Sequence, residues 1–261
     1  MGVTKIHNTA VSGISRINNV ATTSLSKINN VLIGSSGGTN WQSTIYDFNT
    51  QTRNTNASSQ WSPSTAYAND GWVNGTSAVN GTQWTSGINA KGLNCDSGTT
   101  PSSGTGPTGG MTSVTNGTPN SSSTQRYLYK ETSSSRNSWD MIMRTPGYNF
   151  STLMNNTTNN LRMVFWYHAY GTTSWGGNLY TIYTDTATTS TSTAATQLKT
   201  LAASGNTMAA SSSPYLIQYV DLNSYRTINS TYYFYMLLNP QTVGTSFRHD
   251  IALDTVYFEE Y

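Results

Sequence analysis

The chain has 261 residues, a net charge of +2, and 9% charged against 35% hydrophobic residues. That balance excludes the highly charged composition of disordered chains, and without a basic run it excludes a nucleic-acid-binding surface. Seventeen Tyr and seven Trp supply aromatic area for a core, in a Ser/Thr/Asn/Gly background that suits short strands and turns.

Residues 3–31 repeat. The copies read VTKIHNTAVSG, ISRINNVATTS and LSKINNV, with Lys5, Arg16 and Lys27 eleven apart, as are Ile6, Ile17 and Ile28. An 11-residue period fits a helical stripe, but Asn18-Asn19 and Asn29-Asn30 favour turns. Helix and turn-rich extended chain both fit. A unit this small cannot bury its own apolar side chains. The expected role is therefore a docking or oligomerisation tether acting through Ile6, Ile14, Ile17, Val20, Leu25, Ile28 and Val31. Burial would contribute ~0.8 kcal/mol per CH₂ group. The start, MGVTKIHNTAVSG, lacks the apolar run of a signal peptide, and no segment reaches the length of a membrane span.

LIGSSGGTN, residues 32–40, reads as a linker, so residues 1–40 form tether and linker and residues 41–261 a globular domain. Through residue 95, short aromatic pieces alternate with turn signals at Asn74-Gly75 and Asn80-Gly81. The single cysteine, Cys95, can form no intrachain disulfide and is expected as a small, half-buried thiol. The Gly/Ser/Thr/Pro stretch 96–125 reads as a long loop. Strand patterns follow in RYLYKE, WDMIMRTP and, most strongly, LRMVFWYHAYG at 161–171. There Leu161, Met163, Phe165, Tyr167 and Ala169 share one face, and Arg162, Val164, Trp166, His168 and Tyr170 the other. NLYTIYTD comes next, then a Thr/Ser/Ala-rich connection to about residue 213. YLIQYVDL, TYYFYMLLN and HDIALDTVYFEEY complete an all-β sandwich.

No catalytic constellation emerges. His7 lies in the tether, and His168 and His249 lie in strand patterns as hydrogen-bonded, partly buried rings. No G-x-S-x-G occurs. Glu131, Asp140, Asp185 and Asp221 show no paired-carboxylate spacing. No cofactor is expected. Trp139, Tyr170 and Trp175 are candidate ligand-contacting aromatics, since rings with polar tips make a platform for sugars.

Four separated motifs occur in the order seen in MAM domains: TPSSGTGPT at 100–108, YLYKETSSS at 127–135, FWYHAYG with GGNLYTIY at 165–183, and HDIALDTVYF at 249–258. Tyr46-Asp47-Phe48-Asn49, followed by Trp61, is similar to the opening segment of that family. The resemblance spans about residues 43–259. It implies a jelly-roll β-sandwich of the concanavalin A-like kind, and adhesion or recognition in place of catalysis. The chain lacks the family's paired cysteines, which fits assembly in a reducing cytoplasm. Gly110 and Asn49 stand where the family has acids. Some MAM domains bind a cation there. Two lost carboxylates weaken such a site, so Asp47, Asp250 and Asp254 are expected as structural acids and only weak metal candidates.

The I-S-K-I-N-N-V repeat resembles tethers in structural proteins of tailed bacteriophages. Together the two resemblances imply a virion surface protein made in the host cytoplasm: a head decoration, fibre or tail appendage. Its expected partners are capsid or tail proteins and further copies of itself (a trimer by analogy). Cell-surface glycan is the expected ligand of an alternative, adhesin-like role.

Overall fold

The computed structural model describes residues 40–53, 63–74, 93–98, 105–114, 116–130, 141–171, 177–238 and 249–261, together with four two-residue strands in the repeat. Arg16–Ile17 (β1) pairs antiparallel with Val20–Ala21 (β2), and Lys27–Ile28 (β3) with Val31–Leu32 (β4). The described residues of the second and third copies are thus extended. The first copy, with Ile6, and also Ile14 and Leu25, lie outside the described residues.

The elements that follow are α1 (Thr65–Asp70), β5 (Val73–Asn74), β6 (Leu93–Asp96), β7 (Gly110–Ser113), β8 (Asn116–Asn120), β9 (Tyr127–Lys130) and β10 (Met141–Arg144). Then come α2 (Phe150–Leu153), β11 (Leu161–Gly171), β12 (Asn178–Asp185), β13 (Thr196–Ala202), β14 (Leu216–Asp221), β15 (Tyr233–Leu238) and β16 (His249–Glu260). Two five-stranded antiparallel sheets, ordered β13-β12-β15-β10-β5 and β14-β11-β16-β9-β6, make the expected all-β sandwich.

The alternation in β11 suits its interior place between β14 and β16. Leu161, Met163, Phe165, Tyr167 and Ala169 enter the core between the sheets. They meet Tyr180 and Ile182 of β12, Phe234, Met236 and Leu238 of β15, and Ile251, Leu253, Val256 and Phe258 of β16. Full burial of such side chains stabilises by about 1.5–3 kcal/mol each. Tyr180 packs against Phe165 and Tyr167 at ring-centroid distances of 5.5 and 5.7 Å. Its hydroxyl donates to the Ala252 carbonyl at 2.6 Å and so ties one sheet to the other.

Three elements differ from the sequence expectation. Part of the 96–125 loop is the hairpin β7–β8, which lies on the outer face of the second sheet. Met111 packs there with Tyr127, Tyr129, Tyr215 and Ala252, and Trp166 borders the cluster. The Thr/Ser/Ala-rich connection contains β13, an edge strand held by β12. Residues 65–70 form a helical turn ended by Gly71 at φ 104°, a left-handed cap that glycine takes without strain. The open edges of the sheets are joined by Lys199 of β13, whose ammonium donates to Gln218 Oε1 at 2.7 Å and the Tyr219 carbonyl at 2.8 Å. A lysine on an edge discourages further strands from adding.

Candidate functional site

The acids singled out in the sequence fall in two places. A bulge in β16 sets Asp254 and Thr255 opposite the single Trp166, between the pairs Phe165–Val256 and Tyr167–Leu253. Asp254 is buried, and its Oδ2 accepts the Met111 N–H at 2.5 Å, anchoring the β7–β8 hairpin. Thr255 Oγ1 donates to its Oδ1 at 3.3 Å. Asp47 stands near enough for its charge to act on Asp254. The backbone N–H and Nδ2 of Asn49 donate to Asp47 at 3.1 and 3.0 Å, while Asn49 Oδ1 accepts the Arg126 N–H at 2.7 Å. Phe48 between them takes φ 59°, a left-handed backbone held by burial against Tyr67 and Trp72.

A Cβ on Gly110 would lie 2.9 Å from the Gln125 carbonyl oxygen, and one on Gly109 would lie 2.0 Å from that of Asn120. At both positions the backbone that faces the glycine, Asn120 for Gly109 and Gln125–Arg126 for Gly110, leaves no room for a side chain. Asp250 is elsewhere, buried in β16 and registered opposite Tyr170. Among the described residues no three His, Cys, Asp or Glu side chains cluster to hold a metal.

Burial pushes the Asp254 carboxyl well above the ordinary range, and Asp47 adds to the effect. The folded chain therefore keeps a proton that the unfolded chain loses. In that window the folded state binds more protons, so stability falls as pH rises from the ordinary carboxylate range through the folded pKa. Asp254→Asn keeps an oxygen for Met111 and removes this dependence. We expect it to raise the melting temperature at pH 8 relative to the parent and to match it near pH 4. Parallel melting profiles across that range would show that Asp254 carries no such proton.

Among the described residues, two groups of types that catalysis favours, His168 and Cys95, are shut away. Burial drives the His168 imidazole down to about 3, against Tyr215 at a centroid distance of 5.3 Å, so the ring is neutral. Burial also pushes the Cys95 thiol up to about 12, which holds it protonated and inert.

Strand direction gives the sandwich two distinct ends. At one, Trp41 meets β16: its N–H donates to Glu260 Oε2 at 3.0 Å, and its carbonyl accepts the Glu260 N–H at 2.8 Å. Leu161 pairs with Glu260 there, Arg162 with Asp221, and Asp185 with Tyr233. At the other end Gly171 pairs with His249, Met141 and Tyr180 with Leu238, and Lys130 with Ile251. These strand ends bound residues 131–140, 172–176 and 239–248. Tyr170 lies at this second end, partly buried against the core. Trp139 and Trp175 lie outside the described residues. The structure therefore places one of the three candidate aromatics. Sequence reading missed Glu260, whose donors are mostly backbone groups with no residue signature.

No family profile and no curated protein matches the chain. Among solved structures, the K1 cleaved adhesin domain of Lys-gingipain from Porphyromonas gingivalis W83 is 13% identical, covering 86% of this chain and 99% of that one, at a TM-score of 0.43. The K3 cleaved adhesin domain of the same protein is 14% identical, covering 52% and 75%, at a TM-score of 0.35.

Proposed function

We propose that the chain is a non-enzymatic virion surface protein, in which the N-terminal repeat docks on the particle and a MAM-like sandwich is displayed from it. The observation that carries this reading is the polarity of the sandwich. The N-terminal segment joins at one end, while the strand ends that bound residues 131–140, 172–176 and 239–248 gather at the other. A module rooted at one end leaves its opposite end for display. The burial of His168 and Cys95 supports the absence of catalysis. Two-stranded hairpins as short as those of the repeat are not stable alone, which supports docking on a partner surface.

The test is deletion of residues 1–35 in the producing host. Particles should then lack the protein, while the purified truncated chain keeps a β-type circular dichroism spectrum and a cooperative melt. Recovery of the truncated chain with particles at parental stoichiometry would overturn the proposal.

A further inference from the structure

Among the described residues the large apolar side chains most exposed to water are Leu153, Leu216, Tyr219, Ile228 and Tyr261, at 38–46%. They are not scattered. Leu153 ends α2, just before Asn155 and Asn156, whose N–H groups donate to Glu260. Ile228 follows Arg226, whose guanidinium donates to the Asn159 carbonyl at 3.1 Å. The Tyr261 N–H donates to the Asn160 carbonyl at 2.9 Å. Tyr219 stands on the outer face beside Arg162. Four of the five thus surround the end at which Trp41 joins the sandwich, and Leu216 stands apart, registered opposite Tyr167 on the other face of β14.

The centre of this patch is rigid. The Arg162 guanidinium lies between the rings of Tyr219 and Tyr261, 4.1 and 4.2 Å from their centroids. Glu259 Oε1 accepts Arg162 Nε at 2.7 Å and lies 2.6 Å from Nη2. Tyrosine and arginine are enriched in the energetic centres of protein interfaces. Side chains already locked in place lose little freedom on docking. Exposed apolar side chains gathered at one end of a module are the kind of surface that partners cover.

We infer that this end of the sandwich is an interface between copies of this chain, closed around the roots of their N-terminal repeats. Two features select a second copy as occupant. The patch presents a cation and an anion, Arg162 and Glu259, side by side, so a two-fold or cyclic copy can set opposite charges against both. It also surrounds the point of attachment. The eight residues 33–40 span at most about 28 Å. Copies joined through the repeat would hold these surfaces together at an effective concentration on the order of millimolar. The inference rests on reading the repeat as a tether that also assembles copies.

The experiment uses the full chain. Light scattering gives the mass of the parent and of the Tyr219→Asp/Tyr261→Asp double variant, and oxidative cross-linking compares Ile228→Cys with Ser204→Cys, an exposed position at the far end. We expect an oligomeric parent, chain-to-chain disulfides with Ile228→Cys and few with Ser204→Cys. The double variant should dissociate at a concentration about tenfold higher or more, with its melt retained. An oligomeric parent with equal cross-linking at both positions and an unmoved double variant would overturn the interface while leaving the tether intact. A monomeric parent would overturn the interface between copies, while docking of the repeat on particles stands or falls by the deletion of residues 1–35.

Discussion

Glu260→Ala is expected to destabilise the chain by about 3–5 kcal/mol, measured by urea unfolding, because it strips a buried carboxylate from four donors at once. Glu260 is 3% exposed. Its Oε2 accepts the N–H groups of Trp41 and Asn155, both at 3.0 Å, and its Oε1 accepts the Asn156 N–H at 3.0 Å and Asn159 Nδ2 at 2.7 Å. These donors come from the start of the sandwich and from the turn before β11. One carboxylate thus fastens three separate stretches of chain. Glu260→Gln keeps one acceptor oxygen but turns an NH₂ group toward donors, so its loss should be intermediate, about 2 kcal/mol. A Glu260→Ala variant within 1 kcal/mol of the parent, roughly the worth of one ordinary hydrogen bond, would show that water replaces the carboxylate.

Phe258→Ala is expected to cost about 4 kcal/mol, the usual range for emptying a fully packed phenylalanine site. The Phe258 ring lies 4.4 Å from Tyr148, 4.8 Å from Phe234 and 5.8 Å from Phe150, centroid to centroid. Three other rings therefore lose a neighbour, and α2 loses the surface it rests on. Phe258→Leu retains most of the volume and should cost about 1 kcal/mol. Hydrogen exchange should speed up first in residues 148–160 and 256–260. Uniform acceleration across both sheets would mean that the cluster has no local role and serves the whole core.

The strands that carry the core were legible because their composition and period are strong. LRMVFWYHAYG alternates cleanly, and its two faces separate in the structure as its pattern predicts. The hairpin β7–β8 was not legible, since GMTS and NGTPN offer Gly, Thr, Asn and Pro with a single anchor, Met111. Its stability comes from the tyrosines beneath it and from Asp254, which lie far away in sequence. β13 was hidden for the same reason: an edge strand needs only one good face, and TQLKTLA shows little of one. The candidate acids were legible as residue types, yet their partners are mostly N–H groups, which every residue carries. Asp47 and Asp254 come together only because the β16 bulge aims one of them. Of the aromatic candidates, only Tyr170 falls among the described residues.

The way residues 41–46 lie along β16 also decides how the module answers a pull. The segment runs antiparallel to the last turn of that strand. It exchanges bonds between Tyr46 and Val256 at 3.0 Å each way, between Ser43 and Phe258 at 2.9 Å each way, and from Glu260 to Trp41 at 2.8 Å. Tension arriving through the linker draws Asn40 outward along the strand axis. These bonds are then loaded together in shear and do not open one after another like a zip. Force along residues 41–46 thus passes into β16, the middle strand of its sheet.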